Sequence, residues 1–214
     1  MIGPLVRTIS GSVMLFLLLS ALWAFPAPAQ AALVTELDFA SGSIALMSGS
    51  TTVASSSFTQ NPAGRILMNQ YQPLPNIIPP LSLTTLVGIY TFSLFTSGPN
   101  PVPTSSTIGT TITADLNSLF ASLTGPGLVP GGISLNIGGP ATGTFNTSTN
   151  AFSNLTWNHL LTGSGLPTGW SGKSLVFNLN GTAPVAPVPL PAAVWLFGSG
   201  VASLLAARGR KVFA

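Results

Sequence analysis

His159 is the one histidine of the chain, and Glu36, Asp38 and Asp115 are its only carboxylates. Any acid–base, nucleophilic or metal chemistry must draw on these four residues, because cysteine is absent altogether. A metal site needs several such ligands at a defined spacing, and no spacing here brings them together. A Ser-His-Asp arrangement would have to join His159 to Asp115 or to the Glu36/Asp38 pair. The Gly-x-Ser-x-Gly turn that presents a serine nucleophile is missing. Glu36 and Asp38 stand two apart, so on a strand they share a face, the minimum for paired-carboxylate hydrolysis. The simpler reading is an exposed acidic strand. Gly172-Lys173-Ser174 ends like a phosphate-binding loop, but the glycine needed five residues before Gly172 is Pro167. These residues predict no catalytic, cofactor or metal site, and a protein that is not an enzyme.

Residues that bind without reacting are more numerous. Trp157 and Trp170 could stack on a sugar, although aromatic residues more often fill cores. Thr104–Thr113 is rich in hydroxyls and is where a glycan- or ice-contacting face would be sought. Asn146-Thr147-Ser148, Asn154-Leu155-Thr156 and Asn180-Gly181-Thr182 match the N-glycosylation pattern. Sequences rich in Asn and Thr produce such matches by chance.

Charge narrows the partners. Only 4% of residues are charged, against roughly 25% in ordinary soluble domains. The net charge of +3 comes from the ends, with Arg7 near the start and Arg208, Arg210 and Lys211 near the finish. Between residues 32 and 187 two cations, Arg65 and Lys173, face three anions, a net of −1. Nucleic-acid binding needs a basic patch, so nucleic acid is excluded as a partner of the body. Disorder is excluded as well, since 46% of the chain is hydrophobic.

The elements that must position these residues are strands. Period-two alternation of β-branched and aromatic residues marks a half-buried strand. It is clearest in Val87–Phe95, where Tyr90, Phe92 and Leu94 share one face. Leu33–Phe39, Ser43–Met47, Thr51–Phe58, Ile108–Ile112, Ile133–Ile137, Gly143–Phe145, Ala151–Trp157 and Leu175–Leu179 have the same character. Thr147-Ser148-Thr149-Asn150 should turn one hairpin. Gln72–Pro80 and Gly98–Pro103 are too rich in proline to be central strands. One short helix is predicted over Asp115–Leu123, where Leu116, Leu119, Phe120 and Leu123 fall at helical spacing and Asp115 could cap the start. Many short strands with Gly- and Pro-rich turns predict a mainly β, single β-sandwich-like domain over residues 32–183.

Both flanks read as targeting segments. Arg7 precedes the 11-residue apolar run Val13–Trp23, too short for the ~20 residues of a span. Ala29-Gln30-Ala31 then forms an A-x-A cleavage site. Residues 1–31 are thus predicted to be a signal peptide, cut between Ala31 and Ala32. After the body, residues 184–189 alternate proline, which favours an extended spacer. Residues 190–207 are 18 uncharged positions, about 27 Å as a helix and close to a hydrocarbon core of ~30 Å. Arg208, Arg210 and Lys211 would stop that helix on the cytoplasmic side.

The order of residues at this end is more specific than its hydropathy. Val188-Pro189-Leu190-Pro191-Ala192-Ala193-Val194-Trp195-Leu196-Phe197-Gly198-Ser199-Gly200, then the apolar run and Arg208-Gly209-Arg210-Lys211, resembles the PEP-CTERM sorting signal. It is the Pro-Leu-Pro form, with Leu190 where the family usually has glutamate. The resemblance covers residues 188–211 and says nothing of the body. It implies a Gram-negative host and recognition by a membrane exosortase that cleaves near the Pro-x-Pro motif. It implies as partners the exosortase, the secretion machinery and the membrane, with exopolysaccharide beside them. The expected product is an exported cell-envelope or extracellular-matrix protein of a biofilm. Its precursor would be anchored in the inner membrane with the body outside the cytoplasm, then moved to the cell surface or beyond. A carbohydrate- or ice-binding module with the same tail, and an exported hydrolase, are the alternatives.

Overall fold

The computed structural model describes residues 31–73, 77, 80–186 and 198–201. These form a mainly β body of twelve strands in two antiparallel sheets. The strands are β1 (Ala32–Leu33), β2 (Glu36–Ser48), β3 (Thr51–Leu67), β4 (Leu81–Thr85), β5 (Gly88–Thr96) and β6 (Thr104–Ile108). They continue as β7 (Thr111–Asp115), β8 (Leu119–Thr124), β9 (Ile133–Asn136), β10 (Pro140–Asn146), β11 (Ala151–Leu160) and β12 (Ser174–Thr182). One sheet has eight strands in the order β1-β6-β7-β10-β11-β12-β2-β3, and the other has four, β4-β5-β8-β9.

One apolar core is shared by both sheets. The larger contributes Leu37, Phe39, Ile44, Leu46, Ile112, Leu155, Trp157, Leu175 and Phe177, and the smaller contributes Leu81, Leu83, Tyr90, Phe92, Leu119 and Leu123. Trp157 stacks on Phe177 with ring centres 4.7 Å apart. Trp170, on the loop before β12, covers Tyr90 at 4.7 Å. Both tryptophans are therefore core, and neither is free to stack on a sugar. This is the arrangement of a β-sandwich-like domain, in which each sheet buries one face.

The hairpin around Asn146 forms as the sequence predicts, with β10 and β11 joined across residues 147–150. The predicted helix over Asp115–Leu123 does not form. Asp115 ends β7, the Asn117 N–H donates to Asp115 Oδ1 at 3.0 Å, and Leu119–Thr124 continues as β8. The helical spacing was coincidental. Leu119, Ala121 and Leu123 are buried at period two while Phe120 points the other way. Ile108–Ile112 is not one strand either. Gly109 adopts φ 58°, a left-handed conformation that glycine reaches at little cost, and the chain reverses there between β6 and β7.

The ends of the body lie side by side. Ala32 and Leu33 pair with Thr107 and Ser106. On their other side Val34 bridges Val185, the Thr35 N–H donates to Pro184 O at 3.0 Å, and the Ala186 N–H donates to Leu33 O at 2.8 Å. Pro184–Ala186, expected to open the spacer, instead extend the body. Backbone polar groups need partners wherever water is excluded, and Leu33, Val34 and Thr35 supply them to this segment.

Gly198–Val201 form one helical turn. Among the described residues no helix is long and apolar enough to cross a membrane. The remainder of the predicted span 190–207 lies outside the described residues, as do Ala29, the motif Val188–Ala193, and Arg208, Arg210 and Lys211. Of the predicted cleavage residues, Ala31 is described and exposed, and Ala32 is the first residue of the first strand.

Candidate functional site

The structure keeps Glu36 and Asp38 together and gives Asp115 and His159 other partners. Glu36 and Asp38 share the outer face of β2, as their spacing required. Their partner is Arg65 on β3, with Arg65 Nε 2.6 Å from Asp38 Oδ1 and 3.4 Å from Glu36 Oε2. The hydrogen bond to Asp38, and then the charges of Asp38 and Glu36, raise the guanidinium pKa above its ordinary value. Asp115 is engaged in the turn after β7. His159, on β11, has its Nδ1 2.8 Å from Gly138 O. A carbonyl oxygen can only accept, so Nδ1 carries the hydrogen and donates. No carboxylate reaches the ring, and the described residues contain no group of three or more metal-ligating side chains.

What the fold does assemble is a surface. On the outer face of the larger sheet, strand register places one residue per strand in a continuous row. Ser106 pairs with Thr113, Thr113 with Thr142, Thr142 with Thr156, Thr156 with Asn178, Asn178 with Ser43 and Ser43 with Ser57. Each is flanked in its own strand by inward residues, such as Ile112 and Ala114 around Thr113, or Phe177 and Leu179 around Asn178. The row therefore points outward by the period of the strand. Strands lie ~4.8 Å apart, so these seven groups span roughly 29 Å. A second row runs Ile108, Thr111, Thr144 and Ser153, and resumes at Asn180, Ser41 and Thr59.

None of the residues in either row is charged. Some of the hydroxyls hold one another, as in Ser106 Oγ with Thr113 Oγ1 at 3.3 Å and Thr144 Oγ1 with Ser153 Oγ at 2.7 Å. Such cross-strand contacts orient the groups and stabilise the pairs. A hollow of ≈ 470 Å³ opens beside the row between Leu33, Thr104, Thr113 and Thr142. Thr104–Thr113, singled out in the sequence as a hydroxyl-rich stretch, supplies only the first two strands of this array. The other five come from distant segments that the topology brings alongside, and no local signal marks them. The asparagines of the three glycosylation patterns have structural bonds. The Ser148 N–H donates to Asn146 Oδ1, the Asn178 side chain donates to Asn154 Oδ1, and the Asn154 N–H donates to Asn180 Oδ1.

No family model matches the chain, and no curated protein and no solved structure matches it.

Proposed function

We propose that this chain is an exported, non-enzymatic component of the cell envelope or extracellular matrix, delivered by an exosortase acting on residues 188–211. It is made with a cleavable leader, held in the inner membrane by its C-terminal segment, and passed on after cleavage near Pro189-Leu190-Pro191. The observation that carries this reading is the position of the first described strand. It opens at Ala32, directly after the A-x-A site, so a cut there would leave every described strand whole. Support for the non-enzymatic part is that Glu36 and Asp38 are held on Arg65 while His159 and Asp115 bond elsewhere.

Mass spectrometry of the protein recovered from cells and medium tests the reading. Chains beginning at Ala32 and ending near the Pro-Leu-Pro motif are expected. A C-terminus at Ala214 in every fraction would leave a plain membrane anchor in place of a sorting signal. A mature N-terminus at Met1 would refute the leader.

The polar rows support a second reading, a module that holds a neutral carbohydrate polymer or ice through the outer face of the larger sheet. The absence of charge in the rows suits a neutral polymer. Twist suits a chain better than a crystal plane, because neighbouring strands rotate by ~20° and a row across seven of them cannot stay planar. A flexible polysaccharide can follow such a row and an ice surface cannot. Retention of the protein on an insoluble neutral glucan, compared with partition into growing ice, separates the two. Retention by neither would remove this reading.

A further inference from the structure

Beside His159 lies a cleft of ≈ 440 Å³ that neither polar row reaches, within the size range of ordinary binding pockets. One wall is β9, and the other is formed by His159, Leu161, Thr162, Ser164 and Leu166. Among the described residues β9 is the last strand of the smaller sheet, paired to β8 on one side only. The Ile137 N–H donates to Leu119 O at 3.0 Å. Bonded and non-bonded pairs alternate along an antiparallel ladder. In this register Leu135 and Ile133 therefore bond to β8, while the N–H and C=O of Ser134 and Asn136 point away from it, toward the cleft.

This edge lacks most of the usual guards against pairing. Protein edges are commonly blocked by proline, by a lysine or by inward charge, and Ile133-Ser134-Leu135-Asn136 has none of these. The Asn136 side chain is turned elsewhere, donating to Asn117 O at 2.7 Å and accepting from the Gly138 N–H at 2.9 Å. Across the cleft, the bond from His159 Nδ1 to Gly138 O fixes the ring and leaves Nε2 without a protein partner among the described residues. Leu161 and Leu166 give that wall an apolar floor.

We infer that this cleft accepts an extended, uncharged peptide segment of a partner protein, which adds to the smaller sheet as a strand beside β9. The backbone groups of Ser134 and Asn136 would pair with the main chain of the segment. Side chains of the segment would alternate between Leu161 and Leu166 on one side and solvent on the other. His159 Nε2, as an acceptor, would bond a hydroxyl such as that of threonine. Among the described residues no charged one lines the cleft, so a charged side chain entering it would lose water without gaining an ion partner there.

The test uses the full chain in detergent micelles and a blocked hexapeptide of alternating threonine and valine. Amide spectra and hydrogen exchange are followed during titration. Shifts and slowed exchange at the Ser134 and Asn136 amides are expected. Ser134→Pro removes an N–H that faces the cleft and leaves the β8 ladder intact, so binding should weaken about tenfold or more with the melting temperature held. Should that variant unfold, the same hexapeptide N-methylated at alternate amides asks the question without touching the protein, and it should fail to bind. The proposal is overturned if the two amides do not respond, if the N-methylated peptide binds equally well, or if a neutral oligosaccharide shifts these amides and the peptide does not. None of these outcomes depends on whether the tail is sorted.

Discussion

The two sheets have similar inner faces and different outer ones. Inside, both present large apolar residues at period two to a single core. Outside, the eight-stranded sheet carries its rows of Ser, Thr and Asn. The four-stranded sheet has shorter rows of the same kind, Ser82-Thr91-Thr124 and Ser93-Ser122-Ser134, and adds the stacked pair Phe95 and Phe120, centres 5.6 Å apart, and a hairpin tip where Leu86, Val87 and Ile89 are exposed. The difference shows that burial fixed one side of each strand and left the other side open to selection.

The sharpest test of the shared interior compares one core residue from each sheet. Trp157→Ala removes the stack on Phe177 and the bond from Nε1 to Ile137 O at 2.8 Å. Phe92→Ala empties a fully buried site on the smaller sheet. Each should cost about 3–5 kcal/mol in urea denaturation, the range for large aromatic truncations in cores. A cost below about 1 kcal/mol for Phe92→Ala alone would mean that the smaller sheet is an appendage, since surface substitutions give values of that size.

A glycine tests how tightly the larger sheet is registered. At Gly181 a Cβ would overlap the carbonyl oxygen of Asp38 across the β12–β2 pair. Gly181 also sits where that register shifts, between Asn180 and Gly181. Gly181→Ala should destabilise by about 1–3 kcal/mol, as overpacked sites do, with the loss read as a lower urea midpoint. An unchanged midpoint would show that β2 and β12 can slide apart there without cost.

Much of the fold was legible because period two survives any topology. Tyr90, Phe92 and Leu94 marked β5 from sequence alone, and Phe145 and Phe152 marked the two arms of the β10–β11 hairpin. The misreadings have local causes. Leu116, Leu119, Phe120 and Leu123 fit a helix only because a turn at Asp115–Asn117 interrupts two strands whose buried positions happen to match that spacing. Gly109 hid a reversal inside what reads as one run of β-formers. The polar rows were legible in one fragment, Thr104–Thr113, for a different reason. Asn178 meets Ser43 only because β12 returns beside β2, and register between segments so far apart in the chain leaves no trace in local pattern. The docking of Pro184–Ala186 on β1 was equally silent, because proline composition predicts an extended shape and not a partner.

The outer faces differ in what their side chains contribute to stability. Phe95 and Phe120 are directly opposed across β5 and β8. A double-mutant cycle with alanine at both sites should give a coupling of about 0.5–1.5 kcal/mol, the value typical of aromatic pairs beyond their burial. A coupling of zero would make these two rings independent, and the smaller sheet's outer face would then hold exposed apolar area with no folding role. That result would turn attention to the face as a contact surface in its own right.

The smallest expected change in stability belongs to the polar row, and there the comparison bears on function. Thr142 and Thr156 sit opposite one another at its centre, with Thr156 Oγ1 donating to Thr142 O at 3.4 Å. Replacing both with valine keeps the shape and the β-branched preference for a strand and removes two hydroxyls. Stability should move by no more than about 0.5 kcal/mol, as for other exposed substitutions. Retention on a neutral glucan should fall, because each hydroxyl offers a donor and an acceptor that valine cannot replace. If stability falls while retention holds, the hydroxyls serve the pairing of β10 with β11 and the row is structural. If both hold, the seven aligned residues mark only what an uncharged sheet face tolerates. Loss of retention at constant stability is the one outcome that separates this face from the face carrying Phe95 and Phe120, and it would do so by what the face binds.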